Sequence, residues 1–439
     1  MRKKVQLALP LAAVLSCSLW WYVQGVVVPH QEADAASRGW PRGNLSDLYP
    51  RWLGARELLL HGRDPYSAEL TREIQTGYYG RPLDRQKTDE PRDEERFAYP
   101  VFVVFLLSPT IHLSFPAVQA MFFWIFVFST AASVLLWGKA TGAPLRWQTK
   151  LIAVILILGS WPVVQGLYLQ QLSLVVSALL AATVAAVAWG WLGLAGILLA
   201  CTAIKPQWML PMACWLNLWA VSDWRRRWRF SAFFLVTMAV LLVASEFVLP
   251  GWFGRWQEAL RAYMQYTRSE SIMRTLLGRR LGRMAELIAI LFTAFVGWRL
   301  RREESGTQGF GLAVVVTVTA SVLVVPKVAS YDQLFLLPAV LWLLPQVSRL
   351  RSSRPALRLM FWITLAALLW PWTASCALFA VHLASDPTAR YLWKAPVYTV
   401  LLIPVSLAYL VAARAMQVLR FESGSEPSAT GRSRLDCES

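Results

Sequence analysis

Residues 97–112 read FAYPVFVVFLLSPTIH, from Phe97 to His112. The run is apolar enough to be counted as a membrane span. If it crosses, Lys139, Arg146 and Lys150 fall on the outer side, and every later basic loop falls on the wrong side with them. If it stays at one surface, the alternation is repaired. We therefore expect a juxtamembrane or re-entrant helix packed on protein, with Pro100 in its first turn, where no amide hydrogen is needed.

The rest of the chain orders itself around that choice. Of its 439 residues, 56% are hydrophobic and only 16% charged. A soluble domain carries about 25% charged residues. Apolar runs near the ~20 residues needed to cross a bilayer recur along most of the sequence. The expected class is an all-α polytopic membrane protein with about twelve transmembrane helices and outer juxtamembrane helices. A barrel requires short alternating segments instead. The formal net charge of +17 sits mainly in short loops between spans, where it sets topology rather than binding nucleic acid. Of Cys17, Cys201, Cys214, Cys376 and Cys437, four fall in apolar runs and none forms a CxxC pair. Neither a disulfide framework nor a zinc site follows.

Arg2, Lys3 and Lys4 precede an uncleaved first span at 7–28 and hold the amino terminus in the cytoplasm. Further spans are expected at 117–137, 151–167, 170–189, 192–204, 206–220, 230–249, 284–298, 310–325, 334–344, 359–381 and 392–413. Residues 1–413 form one transmembrane module, with a large outer loop at 29–116 and a second at 250–283. Residues 414–439, rich in Ser and Gly, form a disordered cytoplasmic tail. The mixed-charge run Thr88–Arg96, TDEPRDEER, reads as disorder or a flexible lid with no chemistry of its own.

The first outer loop contains NLSDLYPRWLGARELLLHGRDPY, Asn44–Tyr66. A short helix is expected through Arg51, Ala55, Leu58 and Leu59, stopping at Gly62, with Asp64-Pro65-Tyr66 as a turn. Asp47 has two readings. It is a catalytic base in an outward cleft, or it is a helix N-cap. Spacing alone favours the cap. Lys205-Pro206-Gln207 interrupts a long apolar run, and a lysine at such depth is functional or snorkels. Gln170-Gln171 and Val325-Pro326-Lys327, leading to Tyr331-Asp332-Gln333, reach the same face. One face thus collects Asp47, Gln170, Lys205, Lys327 and Asp332, while the other has only basic clusters. The second outer loop carries Arg255, Arg261, Arg268, Arg274, Arg279, Arg280 and Arg283 interleaved with aromatic residues. It suits an interfacial amphipathic helix and either a phosphate clamp or general attraction to anionic headgroups. No nucleotide or metalloprotease motif is present, and no inner loop is long enough for a nucleotide-sugar domain.

Five stretches in order resemble the GT-C glycosyltransferases of family 87, which are polyprenyl-phosphate-mannose-dependent mannosyltransferases. SDLYPRWLGARELLLHGRDPY is similar to that family's first outer loop. FAYPVFVVFLLSP resembles its Y-P-P segment, with Val101 at the second proline. LQQLSLVVSALL resembles its G-Q-x-x-x-L-L element, with Gln170 at the glycine and Gln171 at the glutamine. LAGILLACTAIKPQWML and VPKVASYDQLFLLPA resemble its K-P and Y-D elements. The resemblance implies a GT-C-type fold and an outward cavity at the plasma membrane. It implies transfer of a sugar, mannose in that family, from a polyprenyl-phosphate donor to a lipid or glycan acceptor, with inversion at the anomeric carbon. Asp47 is then the catalytic base. Lys205, Gln171, Tyr99, Arg274, Arg279, Lys327, Tyr331 and Asp332 are then the substrate and phosphate contacts, with no metal or other cofactor. The competing class is a transporter or lipid-carrier flippase, against which stand the lack of a repeated half and the gathering of polar residues at one end.

Overall fold

A backbone in hydrocarbon must satisfy its own hydrogen bonds, so a chain of this composition has few options besides helices. The computed structural model describes residues 2–40, 46–84, 86–87, 90–141, 146–267, 270–326, 329–384 and 392–424. All regular structure among them is helical. Helix α1 (Arg2–Tyr22) runs through a π-turn at Val23–Val27 into α2 (Val28–Ser37). The first helix is thus longer than the span expected at 7–28. α3 (Leu48–His61) and α4 (Ala68–Tyr79) follow. The 97–112 segment folds as α5 (Val103–Leu107) and a 3₁₀ turn at Ser108–Thr110. A five-residue helix cannot cross a bilayer, so the segment stays at one surface. Phe97, Val101, Val103, Val104 and Leu107 are fully buried there.

The transmembrane body continues with α6 (Phe115–Ala140), α7 (Trp147–Leu158), α8 (Trp161–Tyr168), α9 (Ser173–Ala188) and α10 (Leu192–Cys201). Next come α11 (Pro206–Val221), α12 (Trp224–Val248), α13 (Trp252–Tyr266), α14 (Ile272–Arg299) and α15 (Gln308–Val324). The chain closes with α16 (Leu337–Leu343), α17 (Val347–Arg351), α18 (Pro355–Leu383) and α19 (Leu402–Gly424). Helix α19 therefore extends eleven residues, 414–424, into what the sequence suggests is a disordered tail. Among the described residues seven helices are long and apolar enough to cross a membrane, or eight counting α7 and α8 as one span bent by 54°. The twelve expected segments are all helical, wholly or in pieces, but several are too short to cross alone.

The α7–α8 bend shows how a broken span remains affordable in lipid. Pro162 sits in the first turn of α8, where it removes no needed donor. Carbonyls around the break accept side-chain donors from neighbouring helices. Ser16 Oγ donates to Ile155 O at 2.8 Å, Trp20 Nε1 to Leu158 O at 3.2 Å, and Trp372 Nε1 to Gly159 O at 2.6 Å.

Length and burial sort the helices into two kinds. α12 and α14 have 25 and 28 residues, and only 17% and 22% of their most apolar windows are buried. They face lipid. α9, α10, α11 and α15 have 16, 10, 16 and 17 residues, and α9 and α15 are buried along most of their length. At 1.5 Å per residue α10 rises only about 15 Å. A helix of that length does not cross a bilayer alone.

Two faces follow. On one, Trp219 Nε1 bonds Glu303 O at 2.9 Å, Arg227 bonds Arg301 O at 3.2 Å, and Arg414 Nε bonds Gln346 Oε1 at 2.8 Å. These contacts gather the short basic loops. On the other lie α3, α4, the 97–112 segment and α13, tied to one another. Trp52 Nε1 donates to Thr110 O and Trp256 Nε1 to Ala98 O, both at 3.2 Å. Arg255 pairs with Asp64 at 2.9 Å, tying the two long loops together.

Candidate active site

Helix α3 ends as its sequence dictates. Gly62 adopts φ +66°, and Gly62 N and Arg63 N return to Leu58 O and Glu57 O at 3.0 and 3.2 Å, closing the C-terminus. Asp64 Oδ1 accepts from Tyr66 N at 2.9 Å, forming the expected turn. Tyr66 then donates its hydroxyl to Tyr99 O at 2.7 Å and packs edge-on against Phe97. The D-P-Y turn thereby fixes the F-A-Y-P stretch and the Tyr99 ring.

At the other end of α3 the two readings of Asp47 separate. Asp47 occupies the N-cap position but has helical dihedrals, φ −59° and ψ −11°, and its side chain makes no capping bond. Its carboxylate Oδ2 instead accepts a hydrogen bond from Gln171 Nε2. Its amide donates to Leu169 O at 3.1 Å. Ser46 Oγ donates to Gln170 Oε1, and Gln170 Nε2 donates to Gln119 O at 2.7 Å. The start of α3 is thus clamped to the turn between α8 and α9.

Two residues past Gln171 the same turn meets the lysine. Lys205 precedes Pro206 and has φ −126° and ψ 81°, the extended backbone that a following proline favours. Its Nζ donates to Ser173 Oγ at 2.5 Å. Ser173 donates onward to Asp332 Oδ1 at 2.5 Å, and Lys205 Nζ lies 3.9 Å from that oxygen. All three residues are buried, so the lysine charge is matched by a carboxylate, as burial requires. Lys205 Nζ also lies 5.9 Å from the Tyr99 ring and 5.4 Å from the Tyr331 ring. Arg51 Cζ lies 4.7 Å from the Tyr99 ring, and Arg51 Nη1 donates to Asp47 O.

Asp47, Tyr99, Gln171, Lys205, Tyr331 and Asp332 are therefore brought into one cluster by five separate stretches of chain. Asp47, Tyr99 and Tyr331 each retain some exposed surface, so the cluster is not fully sealed. Asp47 and Lys205 are linked through Gln171–Ser173 on one side and Arg51–Tyr99 on the other.

Two residues that the sequence reading passed over belong to this neighbourhood. Burial alone lowers the Arg51 pKa, but Tyr99, Asp47, Glu95 and Tyr263 together raise it above its ordinary value, so the guanidinium stays charged. The signal for it was available in the four-residue spacing from Asp47 on a helix. Glu95 is buried and adopts φ +48°. The described part of the charged run is packed rather than solvated: Tyr79 donates to Asp93 O at 2.7 Å and Gln75 to Glu94 O at 3.1 Å. Burial raises the Tyr78 hydroxyl pKa, reinforced by Glu95 and Asp47. The Tyr263 hydroxyl is likewise raised chiefly by burial, with Arg51 opposing.

The arginine clamp is placed differently from the expectation. Arg274 Nη2 donates to Glu286 Oε2 at 2.8 Å, so a carboxylate on its own helix occupies that guanidinium. Arg279 is exposed just after the kink at Gly278, where φ is +75°. Among the described residues neither forms a hydrogen bond or ion pair with Asp47, Tyr99 or Lys205. Lys327 lies outside the described residues. Among those described, no three His, Cys, Asp or Glu side chains group closely enough to hold a metal ion.

A family model described as Glycosyltransferase family 87 matches residues 97–326. The match includes Tyr99, Gln171 and Lys205; Asp47, Tyr331 and Asp332 lie outside it. No curated protein matches the sequence. The matched region is more than half of the chain, and the chain accordingly belongs to glycosyltransferase family 87 as a membrane glycosyltransferase.

Proposed function

We propose that the protein transfers a sugar, mannose by analogy with its family, from a polyprenyl-phosphate donor to a hydroxyl of a lipid or glycan acceptor. The observation that carries this reading is the placement of the Asp47 carboxylate. It makes no capping bond to its own helix, keeps some exposed surface, which we read as lining an open recess, and is held by Gln171 two residues from the Ser173–Lys205 contact.

In the proposed step the acceptor oxygen attacks the anomeric carbon as the bond from that carbon to the phosphate oxygen breaks. Asp47 takes the hydroxyl proton, and the lipid phosphate leaves carrying the electron pair. In-line displacement converts a β-linked donor into an α-linked product. Gln171 fixes the carboxylate, and Lys205 and Arg51 supply positive charge where negative charge develops. Arg51 replaces the second-loop arginines in this role. The tyrosines around the recess suit a sugar ring, offering apolar faces with polar edges.

A lipid-borne donor fits the architecture. An apolar cavity lined by Trp161, Leu334, Leu337, Pro371, Trp372 and Leu407 begins at Gln333, the neighbour of Asp332. We assign the long-loop face to the outer side of the plasma membrane and both ends of the chain to the cytoplasm, because the basic loops gather on the opposite face. The test is sugar transfer by the purified full-length protein supplied with radiolabelled polyprenyl-phosphate mannose and membrane lipid acceptors. Transfer from that donor, and none from a nucleotide-linked mannose, is the expected result. Direct use of the nucleotide sugar contradicts the donor assignment.

A further inference from the structure

The short-loop face holds a second built feature. Where the α9–α10 turn meets the start of α12, an open pocket of about 700 Å³ is lined by Arg225, Arg226, Arg229, Trp191, Trp228 and Phe233. It lies at the opposite end of α10 from Lys205, so it is separate from the cluster around Asp47.

The sequence here is WRRRWR, and its four arginines do two different things. Arg227 is buried, with its guanidinium 4.1 Å from the Trp219 ring, and it bonds Trp219 O at 3.0 Å and Glu303 O at 3.1 Å. It pins the first turn of α12 against α11 and the 301–303 loop. Arg225, Arg226 and Arg229 fall within an arc of about 100° on the other side of that turn. All three are exposed, and none pairs with a carboxylate among the described residues. Topology alone needs positive charges in a loop. It does not need three of them converging on one concavity while a fourth locks the helix in register.

The apolar wall indicates what carries the anion. Trp189 and Trp191 pack with ring centroids 5.1 Å apart, and Trp191 and Trp228 are exposed, as suits the membrane–water boundary. Phe233 begins an exposed stripe on α12 that continues through Val236, Val240, Val243 and Phe247. Their spacing of three and four residues keeps them on one helix face. Phosphate chemistry at the pocket thus adjoins an apolar track running into the bilayer. We propose that the pocket binds the phosphate of an anionic lipid headgroup, with an acyl chain along this stripe.

The experiment uses the full-length protein in detergent, analysed by native mass spectrometry with phosphatidic acid or phosphatidylcholine of identical chains. Wild type is expected to retain one phosphatidic acid at least roughly tenfold more tightly than phosphatidylcholine. The triple variant R225K/R226K/R229K keeps the charge that sets topology but loses bidentate pairing. Its retention is expected to fall by about tenfold, with an unchanged melting temperature. Equal retention of the two lipids overturns the proposal, and so does undiminished retention by the lysine variant, which would mean generic attraction. Displacement of the lipid by equimolar inorganic phosphate would mark a free-phosphate site and overturn the lipid assignment.

Discussion

Gln170 adopts φ +52°, a left-handed conformation that costs a non-glycine residue about 1–2 kcal/mol. Its side chain offsets this through the bonds to Ser46 and Gln119, each contributing about 1 kcal/mol. The position where the family resemblance places a glycine is thus one where only the backbone demand is shared. Gln170→Gly is expected to leave the melting temperature within a few degrees of wild type, because strain relief and lost bonds nearly cancel. It is expected to lower kcat about tenfold, because Ser46 and Asp47 lose their register on the α8–α9 turn. Thermal unfolding and turnover of the variant check both halves, and an unchanged kcat would remove the positioning role. The position of Asp47 at the start of α3 was readable from the sequence, but not that its carboxylate forgoes the capping bond for Gln171, 124 positions away. Arg51 was harder to single out: its four-residue spacing from Asp47 is a common pattern in a chain with 43 Lys and Arg residues, and its contact with the Tyr99 ring comes from a distant stretch.

At the scale of elements, α3 presses on the 97–112 segment through Gly54. A Cβ there would lie 2.3 Å from the Phe97 ring, and Phe97 is fully buried. Gly54→Ala must therefore shift α3 or Phe97, at an overpacking cost of about 1–3 kcal/mol. Amide exchange should quicken in α3 and 97–112 while α15 stays protected. Unaltered exchange in α3 would mean that the contact relaxes freely. The ends of α3, the Asp64 turn and the surface placement of 97–112 were legible because glycine, proline and charge-rule signals are local. The packed charged run around Glu95 was not. Its side chains look solvated until α4 supplies Tyr79 and Gln75 as partners. The start of the second long loop folds as a helix, α13, as its sequence suggests, but the pairing of Arg274 depends on Glu286, the one acidic residue of α14.

For the whole molecule, the order of apolar segments was visible, and what was missed is the contrast between long outer and short central helices. A run of 16 residues and one of 20 look alike in hydropathy, yet only the longer crosses a bilayer alone. Sidedness can be checked in a variant lacking the native cysteines. A cysteine at Glu69, exposed on α4, should react with an impermeant maleimide on intact cells, while one at Ser352, exposed between α17 and α18, should react only after permeabilisation. The reverse pattern would place the recess in the cytoplasm. The most direct measurement is turnover of Asp47→Asn with polyprenyl-phosphate mannose as donor. The amide can still meet Gln171 but cannot take a proton. We expect kcat to fall by roughly 10²–10⁴-fold with the KM for donor and the melting temperature little changed. Turnover within a few-fold of wild type would contradict Asp47 as the base of the sugar-transfer step.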